Sequence, residues 1–238
     1  MISVDPLYAY ILLTFVFAII WVILFFLGNS ESRREQIIIS LIGLVLGPVS
    51  ELLYFTDYWM PQSIFSFNVG FHPILLEDLL FGFFFSGAVA VLYMSLFRKA
   101  LRGDYNFQHL IPLAIFSAIV TGLVIILWRL GVNSIFATTA GFIIVTAFML
   151  VLRPDLYKNA LWSGLLTSGL LFVIYFVGFN TVSNSDSILS QIWFLYDTNL
   201  GVRIFGVPFS ELIFGFGAGM MGGAMYKIIS GKRVRTQN

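Results

Sequence analysis

The chain has 238 residues, 59% of them hydrophobic and 11% charged, with a net charge of +1. Soluble domains carry about 25% charged residues, so this composition excludes water as the main solvent and points to the bilayer. The sequence has no cysteine, which removes disulfides, thiolate nucleophiles, haem attachment, iron–sulfur clusters and cysteine-type zinc sites.

A helix needs about 20 apolar residues to cross the hydrocarbon core. The pattern predicts crossings over Leu7–Leu27, Gln36–Phe55, Ile74–Phe97, His109–Leu130, Ser134–Leu152, Asn159–Phe179 and Ile204–Ile229. These spans take up nearly the whole chain and leave no stretch for a soluble catalytic domain. The first has neither a basic flank nor a small-residue cleavage site, so it is expected to be an anchor and not a signal peptide. The fold class expected is an all-α integral membrane protein of seven transmembrane helices.

Charge placement orients the spans. Of the 13 lysines and arginines, only Arg129 and Arg203 lie in one set of connections. The others, including Arg33, Arg98, Arg153, Lys227 and Lys232, lie in the opposite set. By the positive-inside rule the N-terminus is expected outside and the C-terminus in the cytoplasm. The basic tail is then a topology signal, and no nucleic-acid partner is expected. Of the two histidines, His72 falls in a loop and His109 at a helix entrance, so no metal site is expected.

The third and seventh spans superpose on each other. Asp78-Leu79-Leu80-Phe81-Gly82-Phe83 meets Glu211-Leu212-Ile213-Phe214-Gly215-Phe216, Tyr93 meets Tyr226, and Trp59 corresponds to Trp193 within one residue. The second and sixth spans match at a slightly different offset, Gly43 with Gly164 and Tyr54-Phe55 with Tyr175-Phe176. An internal repeat of three helices follows. Residues 1–105 form the first copy and 133–238 the second. A linking helix over 106–132 lets both copies run in the same sense, a 3+1+3 plan.

Both copies carry a small-residue stripe, Gly82/Ser86/Ala90 and Gly215/Gly219/Gly223. Such stripes let helices approach closely in lipid, and the third and seventh spans are expected to pack on each other through them. Asp78 and Glu211 stand one helical step before each stripe and are expected to face the bundle interior.

Carboxylates inside a membrane are costly and are candidates for function. Asp78 and Glu211 are the leading acid/base candidates, with Glu77 and Glu51 after them. Their alternative role is to sit in the headgroup zone and cap helix N-termini, where the helix dipole favours a negative charge. Trp59, Phe81, Trp193 and Phe214 are the candidate substrate-binding aromatics, since rings beside the acids can stabilise a carbocation. Otherwise they form part of an interfacial belt. Gly215-Phe216-Gly217-Ala218-Gly219 lies within a membrane span and is no dinucleotide fingerprint. An Asp-Asp-x-x-Asp diphosphate motif and a mid-span lysine for a retinal Schiff base are both missing from the sequence.

At its tandem acid segments the chain resembles the lycopene cyclase domain family, the non-flavin type found as two small subunits or as a fused tandem. In that family each repeat carries a Pro-x-Glu-Glu/Asp motif before an aromatic-rich helix, with a tryptophan upstream. Here the first repeat offers Glu77-Asp78-Leu79-Leu80-Phe81-Gly82-Phe83 after Asp57-Tyr58-Trp59. The second offers Pro208-Phe209-Ser210-Glu211-Leu212-Ile213-Phe214 after Trp193. Leu75 stands at the expected first proline and Ser210 at the expected first acid of the second motif. The resemblance implies a redox-neutral, proton-initiated cyclisation of linear carotene end groups, an isoprenoid lipid partner within the membrane, and no metal or redox cofactor. The alternatives are a non-enzymatic carrier of a lipid or small solute and a catalytically inactive, isoprenoid-binding relative.

Overall fold

The computed structural model describes residues 2–69 and 72–236. Helix α1 (Pro6–Leu27) opens on Asp5, whose carboxylate accepts the Leu7 N–H at 2.9 Å, with proline at the first helical position. Helix α2 (Ser30–Asp57) opens on Asn29, which accepts the Ser32 N–H at 2.9 Å. Helices α3 (Leu76–Leu96), α4 (Leu110–Arg129) and α5 (Ser134–Leu152) follow, and a 3₁₀ turn at Pro154–Leu156 leads into α6 (Tyr157–Thr181). The short α7 (Ser185–Ile192) precedes α8 (Phe209–Ser230), which ends at Gly231 in the left-handed region, φ 73°.

Seven of these helices are long and apolar enough to cross a membrane. Every predicted span corresponds to one of them, so the chain is an all-α, multi-pass membrane protein. The connections hold more structure than the sequence pattern predicts. Strands β1 (Ser66–Val69) and β2 (His72–Leu75) pair antiparallel, as do β3 (Lys99–Arg102) with β6 (Arg233–Thr236) and β4 (Arg203–Ile204) with β5 (Val207–Pro208). The last hairpin moves the start of the seventh span from Ile204 to Phe209. Hairpins and the eight-residue α7 carry too short a periodicity to stand out beside apolar runs.

Helix α3 lies against α1 and α2, and α8 lies against α5 and α6; α4 rests on α5. The small-residue stripes do not face each other as expected. A Cβ on Gly82 would sit 2.3 Å from the Gly43 carbonyl oxygen, and one on Gly47 would sit 2.5 Å from that of Asp78. In the other half, a Cβ on Gly219 would sit 2.6 Å from the Ser163 carbonyl oxygen and one on Gly223 2.2 Å from its hydroxyl. Each stripe therefore seats the neighbouring antiparallel helix, α2 or α6, where glycine or serine stands on both sides of the crossing. The contact between α3 and α8 uses larger groups, Phe85 and Val89 against Phe214 and Ala218.

Pairings between early and late parts of the chain close both ends of the bundle. At the acid-bearing end, Asp57 accepts the Ser134 N–H at 2.9 Å and the Ser134 hydroxyl at 2.5 Å, joining α2 to the start of α5. At the basic end, the Lys227 ammonium donates to Glu35 at 2.5 Å, with both side chains fully buried. Beside it Lys232 donates to Glu31 at 2.6 Å.

Candidate active site

The α2–α3 crossing builds the first part of the site. Gly43, Gly47 and Glu51 recur at four-residue steps and so share one face of α2. Gly47 rests on the backbone of Asp78, and the next turn of the helix carries Glu51 just beyond it, within electrostatic reach of the Asp78 carboxyl. Glu51 is 7% exposed, accepts the Trp59 indole N–H at 3.0 Å, and lies within electrostatic reach of Asp78 and Glu211. This arrangement brings three of the four candidate carboxyls, Glu51, Asp78 and Glu211, into one neighbourhood.

Asp78 is buried, and its two oxygens differ. Oδ2 accepts the Leu75 N–H at 3.1 Å and caps α3. Oδ1 is buried without a hydrogen-bond partner among the described residues. The Tyr10 hydroxyl of α1 lies beside this carboxyl and interacts with it. The capping role and a free acid oxygen thus coexist in one side chain.

Glu211 stands in the first turn of α8, directly after the β4–β5 hairpin. Tyr58 donates to its Oε1, and Tyr175 donates to its Oε2 at 3.2 Å. The Tyr58 oxygen is also 3.1 Å from Ser210 Oγ. Since the single Tyr58 proton goes to Glu211, Ser210 must be the donor to Tyr58. Ser210, at the place where the motif would carry another acid, therefore orients the phenol that holds Glu211.

Glu77 points elsewhere. It accepts the Ile64 N–H at 3.0 Å and the Ser63 hydroxyl, so it fixes the loop before β1. Among the described residues no three histidine, aspartate or glutamate side chains are grouped to hold a metal ion.

A cavity of about 240 Å³ lies between α1 and α6 under α7. Its walls are mainly aliphatic, and its polar groups are Tyr10, Tyr175, Trp59, Trp193, Ser185 and Glu211. Of the candidate acids, Glu211 alone lines it, and Asp78 is separated from it by Tyr10. Phe81 and Phe214 lie behind the lining in a chain of rings. Tyr10 meets Phe81 at 5.8 Å, Phe81 stacks on Phe85 at 5.3 Å, and Phe85 stacks on Phe214 at 6.3 Å. Phe214 then meets Tyr54 at 6.2 Å, on the side of Glu211. These rings form a continuous aromatic chain from Tyr10, beside Asp78, to Tyr54.

Sequence reasoning missed the three tyrosines that touch the acids. Tyr175 was visible in the match of Tyr54-Phe55 to Tyr175-Phe176, which marked a repeated position without showing its partner. Tyr58 stood out only as one of many loop aromatics. Tyr10 carried no signal, being one ring in an apolar anchor helix.

The chain matches no curated protein and no solved structure. The family model described as lycopene cyclase matches residues 133–229, from the start of α5 to the last turn of α8. That segment, which carries Glu211, Tyr175 and Trp193, is similar to the lycopene cyclase family.

Proposed function

We propose that this protein is a carotenoid cyclase of the lycopene type, an isomerase that closes a ring at the end of a linear carotene by general acid–base catalysis. One observation carries the reading: an aliphatic cavity between membrane helices ends on a carboxyl held by two phenols, with a second carboxyl one tyrosine away. In the reaction a proton adds to the terminal double bond. The resulting cation is attacked by a neighbouring alkene, forming a carbon–carbon bond, and a ring proton leaves to form the new double bond. The proton gained equals the proton lost, so no oxidant or reductant is needed.

The geometry supports distinct roles for the acids. Both Glu211 oxygens are held by phenols at the end of the cavity, which suits this carboxyl to exchange a proton with the substrate. Asp78 keeps one oxygen free beside Tyr10, which suits it to supply a proton through that hydroxyl, with Glu51 as its buried neighbour. Trp59 and Trp193 offer ring faces to the intermediate cation. Exclusion of water protects that cation from capture.

The same reading takes the chain as two parallel three-helix repeats, residues 1–105 and 133–238, joined by 106–132. The packing of α3 on α1 and α2, repeated by α8 on α5 and α6, supports it. With the basic end in the cytoplasm, the acids open toward the outer leaflet; reporter fusions to the two termini should then behave oppositely. Expression in a lycopene-accumulating bacterial host tests the activity. Cyclic carotenes are the expected product, and unchanged lycopene with verified membrane expression overturns the proposal.

A further inference from the structure

The cavity is sealed toward the loops and open toward lipid. Asn184, at the α6–α7 corner, grips the segment before α1: it accepts the Val4 N–H at 3.0 Å and donates to the Val4 carbonyl at 2.7 Å. Ile2 N–H donates to the Thr181 carbonyl and Ser183 N–H donates to the Ile2 carbonyl, both at 2.9 Å. Helix α7 lies over the same corner and presents Ile188 and Leu189 to the cavity. Further along α1 the wall runs out onto the bilayer-facing surface, where Leu12 and Val16 line the cavity while 49% and 38% exposed.

On the α6 side Gly178 also lines the cavity, and a Cβ there would meet no atom within 4 Å. The glycines at the helix crossings are explained by the backbones they touch. Gly178 touches none, and glycine within a helix costs about 0.5–1 kcal/mol relative to alanine. The missing side chain leaves open space in the wall of the cavity that Glu211 also lines.

We infer that the gap between α1 and α6 is a lateral doorway from the bilayer, through which the unsubstituted hydrocarbon end of a linear isoprenoid reaches Glu211, and that side-chain size at position 178 sets which end groups pass. The ligand class rests on the cyclase reading above. A hydroxylated or charged end would leave its hydrogen bonds with water for aliphatic walls and is rejected on that account. At about 240 Å³ the cavity falls below the roughly 300–1,000 Å³ that holds a drug-sized ligand. One end of a long carotene therefore enters while the rest stays in lipid along Leu12 and Val16.

The absence of cysteine makes the test clean. In bilayer nanodiscs, Gly178→Cys should react with a lipid-soluble maleimide, and lycopene in the same bilayer should slow labelling about tenfold at roughly ten times its dissociation constant. Gly169→Cys, on the same helix and equally unobstructed but away from the cavity, should react without protection. Equal labelling at position 178 with and without lycopene overturns the doorway, even if the unmodified protein cyclises lycopene. Protection at 178 in a protein that never converts lycopene keeps the doorway and removes the cyclase reading. Gly178→Phe, checked for folding by thermal melting, should cut lycopene binding at least tenfold relative to Gly178→Ala, and unchanged binding overturns the size gate.

Discussion

Trp59 and Trp193 pair with each other through an antiparallel backbone bridge. Met60 N–H donates to the Ile192 carbonyl at 2.8 Å and Phe194 N–H donates to the Tyr58 carbonyl at 2.9 Å, so the two loops ahead of the acid-bearing helices are tied at their tryptophans. The indoles themselves are not equivalent. Trp59 donates to Glu51 at 3.0 Å, whereas the buried Trp193 N–H has no partner among the described residues.

That asymmetry sets the first prediction. Trp59→Phe keeps a ring against Tyr10 but leaves the buried Glu51 oxygen without its donor, a loss of about 1–3 kcal/mol for a buried acceptor left unsatisfied. Cyclisation should fall about ten- to hundredfold, while Trp193→Phe, which gives up no hydrogen bond, should fall much less. Carotene chromatography on matched membrane preparations measures both, and equal losses would count against Glu51 as the reason.

The second prediction separates the four acids. Asp78→Asn, Glu51→Gln and Glu211→Gln keep shape but cannot transfer a proton, so each should lower turnover by about 10²–10⁴-fold with normal membrane insertion. Glu77→Ala should instead leave turnover per folded molecule near the parent value. It should lower the thermal midpoint in detergent, because the Ile64 N–H loses its acceptor, at a cost of about 1–3 kcal/mol. Loss of turnover in a fully stable Glu77→Ala protein would return Glu77 to the site.

The third concerns the crossings. A methyl at Gly82 would press into the Gly43 carbonyl at 2.3 Å, and overpacking of this kind costs about 1–3 kcal/mol or more. Gly82→Ala should therefore melt at lower temperature and lose activity through displacement of Glu51 from Asp78. Gly169→Ala, with no atom within 4 Å of the new methyl, should melt at or above the parent temperature. If the two variants melt alike, the close α2–α3 approach is wrong.

The fourth lies at the other end of the bundle. Lys227→Met leaves Glu35 buried without its cation, which costs about 3–5 kcal/mol. Adding Glu35→Leu to the same chain should restore most of the lost stability, since a well-packed apolar pair can replace a buried ion pair. Thermal melts of the two single variants and the double variant give the coupling, and strictly additive losses would show that the pair does not act as a unit.

The sequence by itself determined the crossings of this protein. Apolar runs of membrane length must be helical, because lipid offers the backbone no hydrogen bonds, and Asp78 and Glu211 drew attention because a carboxylate in such a run is costly. Helical periodicity also put Gly82, Ser86 and Ala90 on one face. Tertiary structure alone decided which helix covers that face, since spacing defines a surface and not its partner: α2 seats there, and α8 packs elsewhere. The same reason hid the pairing of Glu51 with Asp78, which follows from Gly47 lying on the Asp78 backbone. It also hid the three tyrosines beside the acids and the turn of Glu77 toward its loop. A hydrogen bond between Tyr58 and Glu211 joins residues far apart in the chain, and only the crossing of several helices brings such groups within reach.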